Sequence, residues 1–300
     1  MPITFTERLK QPGIIILDGA TGTQLQSLGL PFGRAPERWN LEQPKLIKQH
    51  YQAYLDSGSE AILTNSFGGN RARLELENMG HWVPEVNLAA ARLAREVAGE
   101  RHFVLGSIGP TGLLMQPKGE LTFDKAVTFF VEQVTALVAG GVDGFQIETM
   151  SDLQEAEAAI TAAQQVRHVP IIVTMSFDKH GRTLTGVSAA EAAQRLWGMG
   201  VAAVGVNCGA TLANDLRMIT AMRIALPDAV LVAKPNAGLP HLDETGIVAV
   251  YDITPKAMAD YARQLARQQV KLLGGCCGST PAHIAAMKRA IRNYELEIRN

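Results

Sequence analysis

The chain lacks most of what polymer-binding, secreted and membrane proteins display. No charge sign dominates: 28 Lys and Arg stand against 29 Asp and Glu, a formal net charge of −1. Without a basic excess, the counterion release that drives nucleic-acid binding has no source, so no nucleic-acid partner is expected. Aromatic residues make up only 6%, too few for a platform on which single strands stack. Charges or glycines interrupt every apolar stretch before it reaches membrane-spanning length. The opening MPITFTERLKQPG has no apolar core of a secretion signal. A soluble, cytoplasmic protein with no membrane attachment is expected. Cysteine is scarce and odd in number, at Cys208, Cys276 and Cys277, which argues against a disulfide framework.

What is present points to one large folded unit. Hydrophobic residues reach 47% and charged residues 19% of 300, which excludes disorder and supplies a sizeable core. Short, nearly continuous apolar runs recur at Ile14–Leu17, Ala61–Thr64, Phe103–Gly106, Gly144–Ile147, Ile171–Met175, Ala203–Val206, Val230–Ala233 and Val270–Leu273. Such runs suit strands buried on both faces of a parallel sheet. Segments with helical spacing lie between them, among them Pro44–Asp56, Ala126–Val138, Leu153–Val166 and Pro255–Gln268, and Thr280–Pro281 opens a last helix. Eight strand–helix units predict an α/β fold, a closed (β/α)8 TIM barrel, as a single domain over residues 1–300. The rival doubly wound sheet needs G-x-G-x-x-G after its first strand, and Asp18-Gly19-Ala20-Thr21-Gly22-Thr23 does not supply it.

In such a barrel the residues that follow the strands share one rim, where the chemistry sits. These are Asp18, Asn65, Gly109-Pro110-Thr111, Glu148-Thr149, Ser176-Phe177, Asn207-Cys208, Pro235-Asn236 and Gly275-Cys276-Cys277. All three cysteines fall on it. Three converging thiols suit a soft metal, and zinc is the natural occupant. Three protein ligands rather than four favour a catalytic site with one open position. Adjacent residues on a strand face opposite ways, so Cys276 and Cys277 can share a metal only if Gly274, Gly275 and Gly278 bend the chain. On residue chemistry alone, buried packing thiols or a vicinal disulfide stand level with the zinc site. A zinc held by three thiolates is a poor source of hydroxide, but it can hold a substrate thiol as a nucleophilic thiolate. Alkyl transfer to sulfur is the chemistry that fits.

The motifs Asp18-Gly19-Ala20-Thr21-Gly22-Thr23, Thr64-Asn65-Ser66-Phe67-Gly68, Ile108-Gly109-Pro110-Thr111-Gly112, Glu148-Thr149, Gly205-Val206-Asn207-Cys208, Lys234-Pro235-Asn236-Ala237-Gly238 and Gly274-Gly275-Cys276-Cys277-Gly278-Ser279-Thr280-Pro281 together resemble the homocysteine S-methyltransferase family. The branch they most resemble is the N-terminal, homocysteine-binding barrel of cobalamin-dependent methionine synthases. The resemblance runs from about residue 14 to the last helix. It implies a (β/α)8 barrel in which Cys208, Cys276 and Cys277 bind catalytic Zn2+ and the homocysteine sulfur completes the tetrahedron. It also implies that Asp18 and Glu148 lie near the amino-acid end of homocysteine. Two rim carboxylates with no compensating rim arginine suit an α-ammonium group, with Glu148 ahead of Asp18 as direct ligand. Backbone N–H groups of Gly19–Thr23 and Gly109–Gly112 are candidates for the carboxylate. Asn236 is a candidate fourth zinc neighbour without substrate, Asn207 a residue that orients the site, and Asn65 either.

For the methyl donor, the family barrel resembled here belongs to a longer chain, while this sequence stops at Asn300. Methylcobalamin or a corrinoid protein acting in trans is the first expectation. S-methylmethionine or S-adenosylmethionine is the alternative, with Trp39, Phe67 and Phe177 as aromatic faces for an onium group. Betaine comes last, because only Asn293–Asn300 is expected after the last helix, too little for an assembly arm. Another thiol or selenol acceptor is a variant of the same activity. Two other classes compete: a non-catalytic acceptor subunit of a corrinoid assembly, excluded by turnover with a free donor, and a thiol redox protein using Cys276-Cys277, excluded by inactivation on chelation without oxidation. Met115 and the loop Gly109–Leu121 are candidates to cover the site, or plain filler.

Overall fold

Each of the eight apolar runs forms a strand of one parallel sheet in the computed structural model, which describes residues 3–242 and 249–298. The strands are β1 (Ile15–Ile16), β2 (Ala61–Leu63), β3 (Phe103–Ile108), β4 (Gly144–Met150), β5 (Ile171–Met175), β6 (Ala203–Asn207) and β7 (Leu231–Lys234). After a small antiparallel hairpin, β8 (His241–Leu242) with β9 (Ala249–Val250), the sheet is completed by β10 (Leu272–Leu273). Their order, β1-β10-β7-β6-β5-β4-β3-β2, leaves β1 and β2 as the two ends.

These ends meet at a seam. Glu60 N–H donates to Ile16 O at 2.7 Å and Ser59 Oγ donates to Leu17 O at 3.2 Å. At the next level Leu63 N–H donates to the Asp18 side chain, Oδ2, at 2.7 Å. A carboxylate thus stands in for a ladder carbonyl, and the sheet closes into the expected (β/α)8 barrel.

Alternation along the strands sorts side chains into two layers. Ile16, Ile62, Val104, Ile147, Val173, Val204, Leu231 and Leu273 pack outward on the helices. Ile15, Leu17, Leu63, Leu105, Ile172, Val232 and Leu272 pack inward on one another. The parity of Val232 places Lys234 in the interior, and a shifted register between Ile147 and Met150 in β4 marks where Glu148 and Thr149 leave the regular ladder. Both residues lie within β4 rather than after it.

The helices Pro44–Asp56 and Leu153–Val166 have the bounds expected of them, and the last helix, Pro281–Glu297, runs past the expected end. A further helix, Phe5–Lys10, went unforeseen. Thr4 and Glu7 close its first turn as a capping box, and Phe5, 2% exposed, joins the inward cluster. It plugs the N-terminal end of the barrel. No helix among the described residues is long and apolar enough to cross a membrane.

Candidate metal and acceptor site

The opposite end of the barrel is open. A cavity of about 620 Å³ lies over the C-terminal ends of the strands, with Thr64, Ser107, Glu148, Thr149, Lys234, Cys208, Cys276 and Cys277 in its inner wall and Phe32, Arg34, Phe67, Arg73, Leu76 and Tyr251 among its outer residues.

The three thiols converge through two different pieces of backbone. Cys208 follows β6 with φ of +52°, a region sparsely populated by residues with a Cβ. Cys276 and Cys277 occupy the first half of a tight turn in which Ser279 N–H donates to Cys276 O at 3.0 Å. Gly278, third in the turn, has φ of +75°, as a type II turn demands. A Cβ there would lie 2.1 Å from the Tyr251 ring, so glycine is required on both counts. The turn removes the strand parity that would have parted the cysteines. Cys208 Sγ lies 2.8 Å from Cys276 Sγ and 3.6 Å from Cys277 Sγ, and all three sulfurs fall within 4.8 Å of one another. All are free thiols.

Three crowded thiols cannot all ionise unaided. Hydrogen bonding with Cys276 and Cys277, together with burial, pushes the Cys208 thiol well up. Hydrogen bonds from Cys208 and Cys276 pull Cys277 down to about 3. The cluster therefore favours one thiolate shared among the sulfurs, and a divalent cation is what would displace the remaining protons. This all-sulfur donor set suits zinc and leaves a coordination place for a fourth sulfur.

Behind the thiols lies a buried charge triad. Lys234, 2% exposed, places Nζ 3.3 Å from Glu148 Oε2 and 3.6 Å from Asp18 Oδ1. Ser107 Oγ donates to the other Glu148 oxygen at 2.6 Å. Burial pushes Asp18 up to about 7, an effect that Lys234 and the Leu63 N–H partly offset. Burial also works against the charged form of Lys234, but Glu148 and Asp18 outweigh it and hold the ammonium above its ordinary value. No arginine sits between the carboxylates, yet they are not uncompensated. The sequence reading missed Lys234, although a lysine ending the run Val230–Ala233 at the parity of Val232 was a visible signal of a buried cation.

The other candidates separate into cavity residues and supports. Glu148 lines the cavity and Asp18 does not. Asn65 lines it, but its amide donates to Pro36 O at 2.8 Å and Asn40 Oδ1 at 2.9 Å, bracing the rim loop. Asn207 stands outside it. Its Oδ1 accepts from Thr149 N–H at 2.8 Å, while Nδ2 donates to Thr149 Oγ1 at 2.7 Å and approaches Cys276 Sγ at 3.6 Å. Thr149 has φ of +62°, strained for a β-branched residue, and Asn207 holds it there. Asn236 Oδ1 accepts from Cys208 Sγ at 3.2 Å. The Gly109–Gly112 amides do not line the cavity: Gly109 N–H donates to Phe67 O and Thr111 N–H to Glu155 Oε1. Of the three aromatic residues expected to face a donor, Phe67 lines the cavity, whereas Trp39 and Phe177 are buried in the core. Phe32 and Tyr251 line it instead. Met115 is core filler, 3% exposed.

Known proteins bear on this arrangement in two ways. In sequence, the chain is 29% identical over 303 aligned positions to methionine synthase of Mycobacterium tuberculosis, covering 94% of this chain but only 25% of that one. In structure it is similar to the homocysteine methyltransferase MmuM of Escherichia coli, with a TM-score of 0.79 to the metallated form and 0.70 to the apo form. At 23% identity and 94% coverage of this chain, that likeness is one of fold. The profile described as homocysteine S-methyltransferase matches residues 15–291, from the first barrel strand into the last helix. Those bounds enclose the whole sheet, the thiol cluster and the charge triad, and the chain accordingly belongs to the homocysteine S-methyltransferase family.

Proposed function

We propose that this chain, acting as one domain over residues 1–300, is a zinc-dependent S-methyltransferase that converts homocysteine to methionine. The observation that carries the reading is the convergence of Cys208, Cys276 and Cys277 in the wall of a cavity that also contains Glu148. Zinc bound by these thiols would supply a deprotonated, nucleophilic acceptor sulfur near neutral pH. Glu148, fixed by Ser107 and Lys234, receives the α-ammonium group of the acceptor. Asp18 holds Lys234 from below, and Asn207 holds the turn that aims Glu148 and Cys276. Asn236 keeps its amide oxygen against Cys208, where it is the candidate fourth neighbour of the metal before substrate arrives. No protein base is needed once the thiol has lost its proton.

The donor reaches the sulfur from the rim. Phe32 and Leu76 at the mouth are 75% and 74% exposed, and Leu113, Leu114 and Leu239 stand exposed on rim loops. This apolar rim favours a bulky donor that docks outside the cavity, methylcobalamin or a corrinoid protein in trans. The second reading is a small onium donor such as S-methylmethionine or S-adenosylmethionine, favoured by the aromatic side chains of Phe32, Phe67 and Tyr251 along the cavity. The test is methionine formation from homocysteine by zinc-loaded protein, with methylcobalamin, S-methylmethionine and S-adenosylmethionine compared side by side. Methionine with one of them identifies the donor; none with any of the three overturns the function.

A further inference from the structure

Cys277 is held differently from the other two cysteines. Asn236 lies against the sulfur of Cys208, and Asn207 approaches that of Cys276. Cys277 is tied through its carbonyl oxygen, which accepts from Ala237 N–H at 2.9 Å. That bond is the first of a chain. Ala237 O accepts from Ile253 N–H at 2.8 Å, and Ile253 O accepts from His283 Nε2 at 2.7 Å. His283 then returns to Thr280, just past the thiol turn: its Nδ1 accepts from Thr280 N–H at 3.1 Å and lies 2.9 Å from Thr280 Oγ1.

These partners fix the state of the ring. Ile253 O has no proton to give, so Nε2 carries one; Thr280 N–H can only donate, so Nδ1 keeps its lone pair. His283, 7% exposed, is therefore the neutral Nε2–H tautomer with both nitrogens engaged. It stands third in the last helix, where a glutamate or glutamine ordinarily reaches back to the capping residue. A glutamate would serve that cap as well, but it has no proton for Ile253. The donor on the far side of the ring is what histidine adds.

Ile253 connects this donor to the cavity. Two positions earlier, Tyr251 lines the cavity with its ring against Gly278. Gly238 approaches Ile253 from the loop after β7, where a Cβ would lie 3.2 Å from Ile253 Cγ1. With such close approach at both glycines, a shift of Ile253 moves its neighbours. We infer that His283 is a positioning residue: by holding Ile253 it keeps Tyr251 and Cys277 in register, so that the three thiols bind zinc tightly. This rests on the zinc reading above and adds a residue outside the cavity that governs it.

The test compares wild type, His283→Gln and His283→Glu in competition for zinc with a chromophoric chelator, with urea unfolding to establish that each is folded. Both variants keep an oxygen for Thr280 N–H, but only Gln has a proton for Ile253 O. His283→Gln is expected to bind zinc within about threefold of wild type and His283→Glu about 10-fold more weakly, as when an outer partner of a metal ligand is lost. The added carboxylate would by itself attract zinc, so a weakening reports the lost bond. Equal affinity in all three proteins, or equal losses in both variants, overturns the inference. Nitrogen-15 spectra of the wild-type imidazoles near neutral pH test the ring without any variant: the Nε2–H tautomer is expected for His283, and the Nδ1–H tautomer or the imidazolium overturns the inference. Zinc binding with the expected split but no methionine from any donor supports the inference and overturns the function; methionine without the split does the reverse. A wild type that takes up no zinc overturns both.

Discussion

The two ends of the barrel interior obey opposite rules although the same strands build them. At the N-terminal end, Phe5 joins the inward apolar cluster that includes Ile15, Leu17, Leu105, Ile172, Val232 and Leu272. Two residues beyond Val232 along the same strand, Lys234 is equally buried and lies between two carboxylates. The lower layer gains stability from apolar burial, about 1.5–3 kcal/mol for a side chain such as Phe5. The upper layer desolvates charge, which as a rule is neutral or unfavourable for stability. The barrel therefore keeps stability and chemistry at separate depths, as is general for this architecture.

The sharpest way to break this contrast is to damage each end by a similar amount. Phe5→Ala and Lys234→Met are each expected to lower unfolding stability by about 3–5 kcal/mol, the first by leaving a cavity and the second by leaving buried carboxylates without their partner. Urea unfolding reads both. They should part in function: at a temperature where both are folded, Phe5→Ala keeps wild-type zinc content and homocysteine affinity, and Lys234→Met loses homocysteine affinity. Equal functional loss in both would erase the division between the ends.

Next in size is the thiol cluster. Sharing the usual 10–16 kcal/mol of a four-ligand zinc site among its ligands, Cys208→Ala should weaken zinc binding by roughly 10²- to 10³-fold. Competition with a chromophoric chelator measures it, and stoichiometric zinc at wild-type affinity would overturn the ligand assignment. Asn207→Ala should do less, about 10- to 100-fold in zinc affinity or turnover, because it frees Thr149 and Cys276 without removing a sulfur. The smallest effect is a slope. With Asp18 pushed up to about 7 from an ordinary 3.8, the native state binds the proton more tightly than the unfolded chain. Its contribution to stability is full below about pH 4 and is lost as pH rises through about 7. Asp18→Asn should flatten the stability profile across that window by at most about 1.4 kcal/mol per pH unit. A wild-type slope unchanged in the variant would place the titration elsewhere.

Much of this was legible in the sequence because periodicity and strand-end position are local signals. All eight strands, the helices Pro44–Asp56 and Leu153–Val166, and the shared rim of Cys208, Cys276 and Cys277 follow from them. The helix Phe5–Lys10 was legible too, in the capping pair Thr4 and Glu7, but six residues make a weak periodic pattern. The short hairpin of β8 and β9 has no such pattern at all. What resisted sequence reasoning was partnership across the barrel: that Lys234 answers Glu148 from 86 residues away, and that the amides of Gly109 and Thr111 are engaged with Phe67 and Glu155. Local patterns place residues on a rim, whereas their pairing depends on how the barrel closes.

That closure gives Asp18 two obligations. One oxygen completes the seam between the first and second strands, and the other faces the lysine of the acceptor wall. Replacing Lys234 alone would therefore leave a buried carboxyl without its cation at the seam, where side chains help to stitch the sheet. The cavity wall and the seam are thus inherited together: positions 18 and 234 form a single unit of change, to be exchanged as a pair or left alone.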